Sequence, residues 1–351
     1  MTYSTSVRLH DFHPATQEFF KNKKVVVTGG TGFIGSHLVE QLLQLKAFPI
    51  VLTRQAHPHF LADILSQVVV RKCDLFDYSD VSLGVSDSDV VIHLAAVVGG
   101  LEYNKKHPAS IFHHNMQMFL NVVRAVKERT IPPLLSVCSS ACVYPRYCTI
   151  PTPEIEGFKD EPEPTNSGYG WAKRMQEYLA QKYVEEFGLH IAIPRPYNAY
   201  GPRDNFDLES SHVIPALIRK ALETQNDYFE VWGDGRHSRS FVYVDDFARG
   251  ILEVTARYHI ADPINIGANE EVTIFGLAEK IAKLSSDYRQ RTIVPKFNTK
   301  GLTGQPRRCC SIDKLNRELG FGTKIAIDVG LKNTFEWYIN YENSAMHSHS
   351  Q

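Results

Sequence analysis

The chain has no apolar run approaching the ~20 residues of a membrane-spanning helix, and its first twenty residues carry no apolar signal core. Neither a membrane span nor a secretion leader is therefore expected. It also lacks an excess of either charge. Lys and Arg number 38 against 39 Asp and Glu, a net charge of −1. That balance gives no grounds for a nucleic-acid surface or a polybasic membrane patch. The six cysteines, Cys73, Cys138, Cys142, Cys148, Cys309 and Cys310, contain no CxxC pair of zinc spacing, so free thiols in a reducing cytoplasm are expected. The 15 histidines are scattered. His113-His114 and His57-x-His59 lack an accompanying carboxylate or cysteine cluster, which points to surface positions and to no metal site. Internal repeats and low-complexity segments are absent.

What is present is a large apolar complement, 43% of 351 residues, enough for one large domain or two closely joined lobes. Apolar runs at 24–28, 49–53, 68–70, 89–94, 134–138 and 191–193 read as buried strands. Helical patterns at 33–45, 110–128 and 169–187 lie between them. Strands that are apolar throughout and alternate with helices imply a parallel sheet covered on both faces, with binding residues at the carboxyl ends of the strands. After Arg195 the pattern changes. A turn-rich stretch, a helix near 212–224, short strands at 229–232, 239–243 and 264–266, and helices near 273–284 and 311–318 read as a smaller lobe. No element is placed between Tyr243 and Ile264. The expected architecture is α/β: a Rossmann-type doubly wound parallel sheet with a smaller, interleaved α/β lobe. Residues 1–22 form an extension lying on the surface, 23–195 the dinucleotide-binding domain with part of 236–268 returning to it, 196–235 and 269–340 the second lobe, and 341–351 a loose polar tail.

Two segments carry the chemistry. Thr28-Gly-Gly-Thr-Gly-Phe-Ile-Gly35 lies between the first strand and the first helix of the sheet domain. Its Gly29, Gly32 and Gly35 permit a tight turn and bring backbone N–H groups, with Phe33 and Ile34, to a pyrophosphate at a helix N-terminus. Tyr169-Gly-Trp-Ala-Lys173 places a phenol and an ammonium on one helix face. A glycine loop alone is a weak signal. Joined to a downstream Tyr-x-x-x-Lys it indicates a bound nicotinamide cofactor and a Tyr/Lys pair that moves a proton beside a hydride. The remaining reading of Tyr169 is an ordinary helix-face aromatic.

Together with Asp74-Leu75, His93-Leu-Ala95-Ala96, Arg195-Pro-Tyr-Asn198-Ala-Tyr-Gly-Pro202, Trp232-Gly-Asp-Gly-Arg-His-Ser-Arg239-Ser-Phe and Asn265-Ile-Gly267, these segments resemble the extended short-chain dehydrogenase/reductases, the NAD-dependent epimerase/dehydratase family. The resemblance covers about residues 23–340. Within its nucleotide-sugar branch, Val98-Gly-Gly100, Ser140-Ala-Cys142-Val-Tyr-Pro145, Glu163-Pro-Thr-Asn166, Gly201-Pro-Arg-Asp-Asn-Phe206 and Ser211-His212-Val-Ile-Pro-Ala-Leu-Ile-Arg219 are most similar to GDP-L-fucose synthases. Ser139-Ser-Ala-Cys142 and the Trp232–Phe241 segment are nearly as similar to GDP-mannose 3,5-epimerases.

The resemblance implies a site built from Ser140, Cys142, Tyr169, Lys173 and His212. Ser140 would hold a carbonyl oxygen, Tyr169 would protonate it as it becomes an alkoxide, and Lys173 would lower the phenol pKa by its charge. A thiolate at Cys142 could take a proton from a carbon beside the ketone, and His212 could return one on the opposite face. The alternatives are a small buried apolar side chain for Cys142 and a polar helix N-terminal residue for His212. Asp74, Leu75, Ala95 and Ala96 would line the cofactor. The second strand ends in Thr53-Arg54-Gln55, without the acid usual for NAD, so NADP(H) is favoured, Arg54 pairing a 2′-phosphate. NAD(H), with Arg54 stacked on adenine, stays open. Asn198 and Arg239 match diphosphate-gripping positions, and Lys220, Trp232 and Arg307 would frame base and phosphates. The activity implied is 3,5-epimerisation of a GDP-4-keto-6-deoxy-hexose followed by NADPH-dependent 4-keto reduction, in a cytoplasmic homodimer. A redox-neutral 3,5-epimerase and a non-catalytic NADP sensor are the competing readings.

Overall fold

The computed structural model describes residues 5–55, 58–268, 270–299 and 306–348. Six strands, β1 (Lys24–Thr28), β2 (Phe48–Thr53), β3 (Val69–Lys72), β4 (Val90–His93), β5 (Leu134–Val137) and β6 (Ile191–Ala192), form one sheet in the order β3-β2-β1-β4-β5-β6. Every neighbouring pair is parallel. The chain's helices are α1 (Pro14–Phe20), α2 (Phe33–Gln44), α3 (Tyr78–Gly84), α4 (Leu101–Lys106), α5 (Pro108–Lys127), α6 (Ser167–Phe187), α7 (Val213–Glu223), α8 (Val244–Arg257), α9 (Ile274–Arg289), α10 (Asp313–Leu319) and α11 (Ile327–Ser348).

The uniform apolarity of the strands has a direct cause. Val25 and Val27 of β1 pack with Leu38, Val39 and Leu42 of α2 and with Phe247 and Ile251 of α8. Val26, between them, points the other way, into a cluster with Val81 of α3, Phe119 and Val122 of α5 and Ala180 of α6. Alternate side chains thus go to opposite faces, and both faces are dry. Strand order reverses between β1 and β4, which opens a crevice at their carboxyl ends, where the glycine loop and Leu94-Ala95-Ala96 emerge.

The later strands are β7 (Pro194–Pro196), β8 (Ala199–Tyr200), β9 (Tyr228–Trp232), β10 (Ser238–Ser240), β11 (Val242–Tyr243), β12 (Ile264–Ile266), β13 (Glu271–Thr273), β14 (Val294–Asn298) and β15 (Arg307–Arg308). β12 runs parallel to β7, which follows β6 after one residue. A third cluster, with Ile214 and Leu217 of α7, Val231 of β9, Leu277 and Ile281 of α9 and Leu331 and Phe335 of α11, forms the core of the smaller lobe. β9 alternates exposed and buried residues, as a strand covered on one face should.

Four expectations fail, each for a packing reason. The described part of the N-terminal extension does more than lie on the surface: Val7, Phe12 and Phe20 are buried in the sheet-domain core. Its partner is α8, where no element was expected. The charged residues of α8 recur at Asp245, Asp246, Arg249, Glu253 and Arg257, a stripe that reads as solvent-facing. In the fold, the His13 backbone N–H and the Thr16 hydroxyl donate to Glu253 at 2.8 and 2.6 Å, and Asp245 accepts from the Ser6 N–H. The expected strand 239–243 is two strands: β10 joins β13 and β15, whereas β11 joins β8. The C-terminal residues are not a loose tail, because α11 continues to Ser348; residues 349–351 lie outside the described residues, as does His57.

Candidate active site

The glycine loop follows β1 directly, and α2 starts at Phe33 with Gly32 as its N-cap. A β-carbon on Gly35 would overlap the carbonyl oxygen of Gly29, so only glycine lets α2 begin this close to the turn. The first N–H groups of α2, those of Phe33, Ile34 and Gly35, have no acceptor within the helix. Ala95 closes the other side, its N–H donating to Thr28 Oγ1 at 3.2 Å. Below it His93 Nδ1 lies 2.8 Å from Thr28 Oγ1, and burial holds its pKa down to about 3, so it is a neutral strut between β1 and β4. The cradle fits a dinucleotide pyrophosphate. Asp74 and Leu75 follow β3, half-buried; Asp74 Oδ1 accepts from the Phe76 N–H at 3.1 Å and Leu75 O from Asn121 Nδ2 at 2.9 Å. Arg54, at the end of β2, is exposed, and among the described residues no carboxylate lies within ion-pair distance of it. Gly35→Ala should lower nicotinamide-cofactor affinity at least about tenfold and destabilise the fold by about 1–3 kcal/mol, the usual cost of overpacking. A fluorescence titration and a melting curve check both; wild-type values would refute the close-approach argument.

The reacting groups gather around the turn after β5. Ser139 is held from below: its hydroxyl donates to Glu177, which forms a buried ion pair with Arg195 at 2.6 Å. Arg195 also donates to the Tyr144 hydroxyl at 2.7 Å, which in turn donates to Asn265 at 2.6 Å. This network fixes the turn from behind. Ser140 Oγ then accepts from the Cys142 N–H at 3.1 Å and is a hydrogen-bond partner of the Tyr169 phenol. A β-carbon on Gly170 would come to 2.5 Å from the Cys142 carbonyl oxygen, so α6 can press its Tyr169 turn against Cys142 only because glycine follows the tyrosine.

Lys173 is buried; its Nζ donates to Cys138 O at 2.7 Å and to Gln176 Oε1 at 3.2 Å, and stands 5.6 Å from the Tyr169 ring centre. The net direction at the phenol is upward, opposite to the lowering that the resemblance implies from Lys173. Burial pushes the phenol well above its ordinary range, with the sulfurs of Cys142 and Cys138 adding to the rise. Burial likewise lowers the pKa of Lys173 itself. Tyr169 is therefore a protonated phenol at neutral pH, suited to donating.

His212 is the residue before α7, in extended backbone, with its side chain 63% exposed. Its Nδ1 lies 3.7 Å from Asp204 Oδ1, a separation of an ion pair. Asp204 raises the imidazole pKa, against the positive charge of Arg308. The segment carrying both is tied to α2: His37 Nε2 contacts Pro202 O at 3.0 Å, and Arg203 pairs with Glu40.

In the smaller lobe, Asn198 takes a positive φ of 29° and donates from Nδ2 to Ser240 O at 2.8 Å. Lys220 Nζ stands 4.7 Å over the ring of Trp232, which is 54% exposed at the end of β9. Arg239 is half-buried, and burial together with Arg308 lowers its pKa to about 10. Arg307 does not join them. It is exposed and pairs with Glu271 at 2.7 Å. Its neighbour does: Arg308 stands beside Arg239 in the parallel β10–β15 register, and its Nη2 donates to Cys142 Sγ at 3.4 Å. Sequence reading missed Arg308. In a strand, adjacent side chains point to opposite faces, so one of the two arginines had to face the site, but β15 is only two residues long and gives no periodicity to choose between them.

The model of the NAD dependent epimerase/dehydratase family matches residues 25–267 of the chain. The chain belongs to that family. As a family member it is an enzyme using a nicotinamide cofactor, which agrees with the cradle at α2. It is 32% identical to a GDP-L-fucose synthase of Sinorhizobium fredii (strain NBRC 101917 / NGR234) over 91% of this chain and 96% of the relative. It is 31% identical to a dTDP-4-dehydro-6-deoxy-D-allose reductase of a Streptomyces species over 92% and 98%. Among solved structures, a GDP-L-fucose synthetase of Naegleria fowleri superposes with a TM-score of 0.76 at 25% identity, covering 97% of each chain. Among the described residues of this epimerase-family chain, no helix is long and apolar enough to cross a membrane.

Proposed function

We propose that the chain is an epimerase/reductase of a GDP-4-keto-6-deoxy-hexose, inverting C3 and C5 and then reducing the 4-keto group with NADPH, as a GDP-L-fucose synthase does. The observation that carries this reading is Cys142 beside Ser140 and Tyr169, with Arg308 as an electrostatic neighbour of both Cys142 and His212. A hydride-transfer site alone needs the Ser, Tyr and Lys. A sulfur base and an imidazole acid are additional, and they are what inversion requires.

In this reading Ser140 and Tyr169 hold the 4-keto oxygen. Cys142 as a thiolate takes the acidic proton from the neighbouring carbon, leaving an enolate that the two hydroxyls stabilise. His212 returns a proton to the opposite face, and the carbon is inverted. A nicotinamide cofactor held at the glycine loop of α2 would supply the hydride for the 4-keto reduction. Tyr169 gives its proton to the oxygen as the alcohol forms, and Lys173, close to the phenol and the strand end, steadies that charge change. The lobe of 196–235 and 269–340 holds the nucleotide diphosphate. Arg239 and Asn198 take the diphosphate, where Arg offers a planar fork. Trp232 and Lys220 face the base. The cytoplasm is the compartment we assign, supported by six cysteines that form no disulfide among the described residues, and a homodimer is the assembly we assign, through α5 and α6.

The test is to supply GDP-4-keto-6-deoxymannose and NADPH and follow both cofactor and product. One NADPH oxidised per sugar, with an inverted product by NMR, supports the reading. Inversion without NADPH consumption would replace it with the redox-neutral 3,5-epimerase.

Cofactor choice has its own test. With no carboxylate paired to it among the described residues, Arg54 is available to a 2′-phosphate. A hydrogen bond to a charged group contributes about 1.5–3 kcal/mol, so Arg54→Asp should weaken NADPH by about 10–150-fold and leave NADH nearly untouched. Equal affinity of the wild-type protein for the two would sink the assignment.

A further inference from the structure

We propose that Arg308 is a positioning residue that keeps Cys142 as a thiolate between turnovers. The proposal rests on the reading of Cys142 as a base, and it names what makes that base available. Arg308 is half-buried, and among the described residues no carboxylate lies within ion-pair distance of its guanidinium. Its side-chain partner among the described residues is Cys142 Sγ, at 3.4 Å from Nη2. A neutral thiol is a weak acceptor, and a guanidinium in this setting calls for a counter-charge. A thiolate meets both conditions at once, and cations beside a cysteine favour that form.

The surrounding charges support the assignment. Facing Cys142 are Tyr169 and Lys173 from α6, Arg308 from β15 and the Ser140 hydroxyl of its own turn. Tyr169 is a neutral phenol, and the ammonium of Lys173 is committed to Cys138 O and Gln176. Behind Arg308 stand Arg239, a second cation, and Glu163, a buried carboxylate at the edge of the site. Two arginines in adjacent ladder positions repel, and negative charge on the sulfur relieves that repulsion. Arg308 Nε is also buried with no hydrogen-bond partner among the described residues.

The same cation couples the two faces of the site. Its charge works against protonation of His212, and Asp204 works for it. A thiolate at Cys142 offsets Arg308 and so favours the imidazolium. When the sulfur takes the carbon-bound proton, the negative charge passes to the enolate oxygen and Arg308 loses its counter-charge. That loss favours release of the sulfur's proton to solvent once product has gone.

The experiment is alkylation of Cys142 by iodoacetamide in the full chain with NADPH bound, followed by peptide mass spectrometry across a pH series. In Arg308→Met the midpoint for Cys142 should move up by about one pH unit or more, which is about tenfold less thiolate on the acid side. Arg308→Lys should recover part of the shift, since it restores charge without the planar fork. Arg308→Gln gives the same comparison should the Met variant lose NADPH binding. A midpoint unchanged from wild type in Met and Gln variants that bind NADPH normally would overturn the proposal, as would a Lys variant no better than Met. Midpoints are compared, because intrinsic thiolate reactivity itself falls as acidity rises. No sugar is present, so the outcome is separate from the functional reading. Normal inversion by Cys142→Ser would overturn that reading and leave the alkylation midpoints untouched.

Discussion

Cys142→Ser and His212→Asn should each convert an inverting reductase into one that reduces without inverting. A positioned acid or base contributes about 10²–10⁴-fold to proton transfer, and a serine hydroxyl near neutral pH cannot replace a thiolate. The hydride step uses Ser140, Tyr169 and Lys173, which the two substitutions leave in place, so the keto sugar should still be consumed and the product should keep its original C3 and C5 configuration. His212→Asn should in addition remove a pH limit. Asp204 raises the imidazole pKa, so the proton-bearing form persists above its ordinary range and is lost as pH rises through the raised value. Inversion by the wild type should fall over that window, and Asp204→Asn should move the fall to lower pH. The size of that displacement is moderated by water, since the imidazole is 63% exposed. Product stereochemistry after turnover in deuterated water reads all of these. Normal inversion by the double variant would return both residues to structural roles.

The arrangement explains why some of this was legible from the sequence and some was not. The sheet was legible because β1, β2 and β4 are buried on both faces and leave almost no polar residue to confuse the pattern. The glycine loop was legible because close approach at Gly35 admits one residue type. Tyr169 and Lys173 were legible because four-residue spacing puts them on one side of α6 whatever lies around them. Features that depend on what packs against a segment were not. The charged stripe of α8 looks solvent-facing until the chain's own residues 5–20 cover it. Arg307 and Arg308 are indistinguishable until β15 is paired with β10. The Tyr169 phenol is a similar case: a nearby lysine suggests a lowered pKa, but depth of burial decides the sign, and burial is a property of the whole fold.

Tyr169→Phe separates the two halves of the reaction in the other direction. The substitution removes one hydroxyl and little volume, and the ring keeps its place against Cys142 and Gly170. Reduction loses its proton donor and should fall by about 10²–10⁴-fold. Proton exchange should survive in part, because Cys142, Arg308 and His212 remain and Ser140 still holds the oxygen; only one of the two hydroxyls on the enolate is gone. The expected observation is deuterium entering the keto sugar from solvent while NADPH is barely oxidised. The pH behaviour adds a constraint. Burial keeps the phenol protonated throughout the neutral range, so wild-type reduction should show no loss around neutral pH from ionisation of Tyr169, and any fall on the alkaline side should lie well beyond an ordinary tyrosine. Lys173→Met should spare the fold less than Tyr169→Phe does, because Lys173 Nζ also holds the Cys138 carbonyl at the end of β5. A Tyr169→Phe protein in which exchange and reduction fell together, with NADPH binding intact, would mean that one proton relay serves both steps and that the division between α6 and the Cys142–His212 pair is wrong.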